Sequence, residues 1–190
     1  MIEMPKLIVL VASTRPGRVG STIGKWFNDY ARTHGGFDVE LVELADQNLP
    51  IFDEPQHPAA QQYEHEHTKA WSKKVAEADA FVFVTPEYNF STPPSLLNAL
   101  TYLVKEWAYK PVGFVSYGGI SGGLRGVQMT KQILTTFKMF PLYEAVVLPN
   151  VFGLLNDEGQ FVGQEIHETS AKAMLDELLR VEGALSTLRS

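Results

Sequence analysis

Three short stretches hold most of the residues able to grip a ligand: "STRPGRVGST" at 13–22, "TPEYNFSTPP" at 85–94 and "SYGGISGGLRG" at 116–126. The first combines the hydroxyls of Ser13, Thr14, Ser21 and Thr22 with the guanidinium groups of Arg15 and Arg18, and then opens a helix. A helix amino terminus carries unpaired N–H groups and a partial positive charge, and both favour a phosphate. Arginine adds charge-assisted hydrogen bonds. The same residues also describe an ordinary capped helix with two solvated arginines. No Gly-Lys-Ser/Thr closes the stretch and no Gly-x-Gly-x-x-Gly runs through it, which favours one phosphate monoester over a dinucleotide pyrophosphate.

The second stretch sets Pro86, Glu87, Tyr88 and Asn89 directly after an apolar run. Proline has no N–H and turns the chain away from a strand. The backbone of 87–89 then crosses the sheet edge, where its N–H and C=O groups can read the rim of a planar heterocycle. A rigid turn is the plainer alternative. Ser91 or Thr92 is expected to cap the helix that Pro93 and Pro94 begin. In the third stretch Tyr117, Gly118 and Gly119 lead into Ser121, Gly122 and Gly123, and glycine lets a backbone approach a ligand closely. One loop suited to phosphate and two offering backbone to a flat ring describe a flavin mononucleotide.

These loops need a scaffold. Residues 7–12, 80–85 and 111–117 are almost continuously apolar, as strands buried on both faces should be, whereas 39–44 and 143–149 are more mixed and suit places nearer the sheet edges. Helical stripes separate them: Ile23, Trp26, Phe27 and Tyr30; then Leu96, Leu97, Leu100, Leu103, Val104 and Trp107; then Val127, Ile133, Leu134 and Phe137; then Met174, Leu175, Leu178 and Leu179. A further helix is expected across 61–78. Strict β-α alternation implies a parallel sheet with helices on both faces, and ligands of such sheets bind at the carboxyl ends of the strands. Two long loops, 47–60 and 150–164, are either functional or surface insertions.

The bulk properties narrow the classes. The 190 residues carry a net charge of −6 with 45% hydrophobic and 20% charged residues, an ordinary globular composition without the basic field of a nucleic-acid surface. With no cysteine there is no disulfide, thiolate catalysis or cysteine zinc site. "EHEH" at 64–67, with His65, His67 and the more distant His57, reads as a solvated helix start and not as a metal site. The first apolar run is short, preceded by Glu3 and followed by arginines, so it reads as a strand and not a signal peptide. No stretch approaches the roughly 20 apolar residues of a membrane span. The expectation is a soluble, cytoplasmic protein whose residues 1–190 form a single domain.

Ala12-Ser13-Thr14-Arg15, Pro86-Glu87-Tyr88-Asn89 and Gly118-Gly119-Ile120-Ser121-Gly122-Gly123-Leu124-Arg125 together resemble the NADPH-dependent FMN reductases, with Ala12 standing where that family usually has glycine. The resemblance spans residues 6 to about 150. It implies a flavodoxin-like three-layer α/β sandwich with a five-stranded parallel sheet of order 2-1-3-4-5. It places Ser13, Arg15, Arg18, Ser21, Thr22 and Ile23 around the phosphate, and Pro86, Glu87, Tyr88, Asn89, Tyr117, Gly118 and Gly119 along the isoalloxazine. The activity implied is a two-electron, ping-pong transfer from NADPH or NADH through bound FMN to a quinone, flavin, azo or similar acceptor. No acid–base pair is needed, because the cofactor carries the chemistry. Homodimers or homotetramers are also implied, with flavin sites near the subunit interface; the stripe from Leu96 to Trp107 suits such a contact, although burial within the chain itself would explain most of it. The rival readings are a flavodoxin-type electron carrier and a flavin-binding regulatory module.

Overall fold

The structure is a computed structural model and describes residues 4–189. Five strands, β1 (Lys6–Val11), β2 (Asp38–Glu43), β3 (Ala80–Pro86), β4 (Pro111–Tyr117) and β5 (Phe140–Leu148), alternate with five helices, α1 (Gly20–His34), α2 (Glu66–Ala76), α3 (Pro94–Thr101), α4 (Leu124–Leu134) and α5 (Glu165–Leu185). All strand pairs are parallel and the order is β2-β1-β3-β4-β5, the flavodoxin-like arrangement expected.

The period of two along each central strand divides the core between two faces. Leu7, Val9 and Val11 of β1 pack with Phe27 of α1 and with Met174 and Leu178 of α5. Ile8 and Leu10 point the other way, to Trp71 of α2, Leu96 and Leu100 of α3, and Val127 of α4. Every residue of β3 and β4 is buried, whereas β2 and β5 mix buried and accessible positions, as edge strands do. Among the described residues no helix is long and apolar enough to cross a membrane.

The helices differ from expectation in their bounds and caps. The helix after β3 ends at Thr101, and Trp107 belongs to a separate 3₁₀ turn. Leu96, Leu100, Leu103 and Trp107 nonetheless all lie in the core, so most of the stripe is buried within the chain itself, with Leu97 exposed and Val104 half-buried. The helix expected over 61–78 starts only at Glu66, because the Glu54 carboxylate accepts the N–H groups of Glu64 (2.8 Å) and His65 (3.0 Å) and fixes its entry. Neither Ser91 nor Thr92 caps α3: Pro93 occupies that position, and the Thr92 hydroxyl is buried without a partner among the described residues.

The 47–60 loop is a strap over α3. Asn98 accepts from the Phe52 N–H (2.9 Å) and donates to the Pro50 carbonyl (2.6 Å), while the Tyr102 hydroxyl donates to Pro50 and to Asp53 Oδ1. His67 pairs with Asp53 at 3.0 Å, with His65 stacked beside it.

Candidate functional site

In a parallel sheet every strand delivers its following loop to the same edge. The loops after β1, β3 and β4 meet there around a cleft of about 220 Å³, lined in part by Arg15, Arg18, Pro86, Tyr88, Tyr117 and Gly119. Glu87 and Gly118 complete the expected residues on its wall.

At one end of the cleft lies the amino terminus of α1. Val19 precedes the helix without any side-chain cap, and its first turn contains no acidic residue. The first N–H groups of a helix have no intrahelical acceptor, so this end keeps its donors and its partial positive charge. The Tyr117 phenol comes up beneath it. A Cβ at Gly20 would sit 2.5 Å from that hydroxyl, so only glycine allows the ring to reach this close. The hydroxyl is buried and makes no well-formed hydrogen bond among the described residues; the Ser13 hydroxyl lies close to it but is already bonded to Tyr88. Burial, and then the neighbouring Tyr88, raise its pKa, so it is a neutral donor at any physiological pH. Ser13 and Tyr88 share a hydrogen bond of 2.8 Å that ties the first loop to the second.

The two arginines differ. Arg18 makes a two-nitrogen ion pair with Glu43 at the end of β2, through Nε (3.1 Å) and NH2 (2.9 Å). Arg15 is exposed and has no side-chain partner among the described residues. Thr22 and Ile23 are turned elsewhere: the Thr22 hydroxyl accepts from the Phe161 N–H (2.9 Å), and Ile23 is wholly buried in the core. Ser21 lies with Thr22, Lys25 and Trp26 along an adjoining depression, outside the cleft itself.

The other end of the cleft is backbone. The N–H groups of Glu87, Tyr88 and Gly118 are already committed, to the carbonyls of Tyr117, Ser91 and Leu148 respectively. Those of Asn89 and Gly119 make no such bond among the described residues, and of the two it is Gly119 that lines the cleft. A Cβ at Gly119 would meet nothing within 4 Å, whereas one at Gly118 would press on the Gly123 N–H at 3.3 Å. Gly119 therefore faces open space and Gly118 packs within its own loop.

Sequence reasoning missed one wall. The chain after β5 binds back to the glycine loop, Asn150 N–H to the Gly119 carbonyl (2.8 Å) and Val151 N–H to that of Gly118 (3.1 Å). This brings Val151 and the exposed ring of Phe152 to the cleft. The length of the 150–164 loop was the available signal. The donors found here fit FMN: an uncapped helix terminus, a free arginine and a buried phenol suit a phosphate and its polyol chain, and a glycine-walled slot suits the ring.

Comparison with known proteins agrees with this geometry. Residues 5–153 match the NADPH-dependent FMN reductase family. The chain is 43% identical over 149 residues to an NAD(P)H-dependent FMN reductase of Schizosaccharomyces pombe, covering 76% of this chain and 74% of that protein. It is 34% identical over 181 residues to an NAD(P)H-dependent FMN reductase of Nectria sp, covering 90% and 89%. The fold is similar to that of an NAD(P)H:acceptor flavoenzyme of Paracoccus denitrificans, with a TM-score of 0.75 at 18% identity over 95% and 98% of the two chains. The chain belongs to the NADPH-dependent FMN reductase family, and it is an FMN-dependent oxidoreductase that draws its electrons from NAD(P)H.

Proposed function

We propose that the phosphate of FMN lies at the amino end of α1, beside Arg15, and that the isoalloxazine lies between the 86–89 and 117–119 backbones. NAD(P)H and a quinone-like acceptor then take turns on the open side of the cleft. Bound FMN supplies the two-electron hydride chemistry; the protein supplies binding, orientation and a chosen polarity.

The observation that carries this reading is the buried Tyr117 hydroxyl, without a well-formed hydrogen bond among the described residues, beneath an uncapped helix terminus. A buried donor left unpaired costs about 1–3 kcal/mol, and a bound ligand oxygen removes that cost. Ser13 holds Tyr88 in place, and the free N–H group of Gly119 supplies a donor to the ring edge. Phe152 covers the slot from one side and limits the acceptors to flat ones. Arg18, neutralised by Glu43, shapes the phosphate loop instead of contributing net charge.

Residues 1–190 act in this reading as one FMN-binding domain that pairs with a second copy. The exposed apolar rim of Phe90, Ile120 and Phe152 supports such pairing. Because both substrates use one face in turn, double-reciprocal plots of NADPH at several quinone concentrations should be parallel. Intersecting lines would overturn the shared site. Anaerobic NADPH alone should bleach the bound flavin within the time of one turnover. Bleaching that takes hours with millimolar NADPH would instead make the protein an electron carrier.

A further inference from the structure

Glu87 lies on the ring side of the cleft, yet its carboxylate turns away from it. Oε2 accepts from the Ser121 hydroxyl (2.9 Å), the Arg125 N–H (3.0 Å) and the Gly126 N–H (3.4 Å), and Oε1 accepts from the Arg125 guanidinium (3.3 Å). The loop after β3 thereby caps the helix that follows β4. The side chain is only 8% exposed. Burial opposes its charge, but the bonds from Ser121, Arg125 and Gly126 outweigh burial and hold the carboxyl below the ordinary range.

Two further contacts close the same joint. The Arg125 guanidinium lies 4.3 Å from the centre of the Phe90 ring. Gly126 lets α4 approach the turn so closely that a Cβ there would sit 2.8 Å from the Ser91 carbonyl oxygen. The turn held in this way is strained, since Asn89 and Phe90 both adopt left-handed backbone, at φ 52 and 63. Non-glycine residues keep such angles only where their surroundings impose them.

We propose that Glu87 is a positioning residue: its carboxylate sets the spacing between the 86–89 and 117–119 backbones, and with it the affinity for a flat ring, without touching the ligand. This rests on the assignment of the cleft to FMN. A defect at this joint acts on the ring end and leaves the phosphate end alone. The loss of affinity must therefore be equal for FMN and for riboflavin, which has the ring but no phosphate.

The test is fluorescence titration of FMN and riboflavin into the apo forms of wild type, Glu87→Ala, Glu87→Gln and Arg15→Ala, with the visible absorption band of the bound ring recorded at saturation. Glu87→Ala should weaken both ligands by about tenfold or more and shift the band. Glu87→Gln, which keeps the shape and one acceptor oxygen, should restore part of both. Arg15→Ala should weaken FMN alone and leave the band in place. If Glu87→Ala does not fold, as judged by the melting curve of the apoprotein, Ser121→Ala carries the test, because it deletes one donor and should weaken both ligands by about threefold. Wild-type affinity and an unshifted band in whichever variant folds would overturn the proposal, as would a loss confined to FMN. Failure of the wild-type protein to bind FMN would instead overturn the proposed function.

Discussion

The amino ends of α1 and α4 lie at the same sheet edge and are built in opposite ways. That of α4 is filled by the chain's own carboxylate, Glu87, with Ser121 and Arg125 completing the contact. That of α1 has no side-chain cap, no acidic first turn and a buried phenol without a well-formed hydrogen bond among the described residues. Far from the cleft, α2 follows the first pattern, with Glu54 across its entry. The amino end of α3 also lacks a side-chain cap and an acidic first turn, so what sets α1 apart is that its uncapped end stands at the cleft beside Arg15 and the Tyr117 phenol. The closed ends hold structure, and the open end is the one we propose for the phosphate.

The largest effect should come from the open end. Arg15→Ala removes a charge-assisted contact worth about 1.5–3 kcal/mol, so FMN affinity should fall roughly tenfold to a hundredfold while riboflavin binding stays near wild type. Titration calorimetry decides it, and equal losses would mean that Arg15 supports the fold and not a phosphate. Gly119→Val places two methyl groups into open cleft, so it should impair both ligands and leave the melting curve of the apoprotein unchanged. Gly118→Val should lower the melting temperature as well, because its Cβ would press on the Gly123 N–H.

A closed end should respond in the opposite sense. Glu54→Ala deprives α2 of its cap and should cost about 1–2 kcal/mol of stability in urea unfolding, with no change in FMN affinity. Its pH dependence follows from its environment. Burial raises the Glu54 carboxyl, but the N–H donors of Glu64 and His65 bring it below its usual 4.5. A carboxyl lowered by folding binds more protons when unfolded. Its contribution is therefore complete above about pH 4.5 and disappears as the pH falls through the lower folded value. Glu87 is lowered in the same way. Glu54→Gln should flatten the stability curve below pH 4.5 and leave its slope from pH 6 to 8 alone. An unchanged acid limb would remove Glu54 from the list of caps.

The smallest effect sharpens the contrast between two buried phenols. The Tyr102 hydroxyl bonds Pro50 and Asp53, and Tyr102→Phe should destabilise the protein by about 1 kcal/mol. The Tyr117 hydroxyl has no well-formed hydrogen bond among the described residues, so Tyr117→Phe should raise the apoprotein melting temperature by a few degrees and weaken FMN binding severalfold. A destabilised Tyr117→Phe apoprotein would show that the hydroxyl already has a use in the fold.

Much of this is written in local pattern. Apolar runs mark β1, β3 and β4 as buried on both faces, and the mixed runs of β2 and β5 mark them as edges, because burial acts on each residue where it stands. Helix ends are less local. Leu103 and Trp107 continue the apolar stripe of α3 and are just as buried, but the chain reaches them through a separate turn, and hydrophobicity alone does not distinguish the two paths. The start of α2 depends on Glu54, which lies outside the helix, so no propensity within 61–66 could have placed it.

The residue types alone determined that three loops with hydroxyls, arginines and glycines leave strand ends and that the chain has the motifs of its family. Spacing and chemistry are local properties, and a parallel βα repeat brings such loops to one edge. Only the tertiary structure decided the partners. Arg18 belongs to Glu43, Thr22 to the backbone of Phe161, and Glu87 to α4, whereas the Arg15 side chain and the Tyr117 hydroxyl are left without a well-formed bond among the described residues. The reason is that a hydrogen bond or ion pair is set by distance in space. Thr22 and Phe161 stand 139 residues apart, and nothing in either neighbourhood records that they meet.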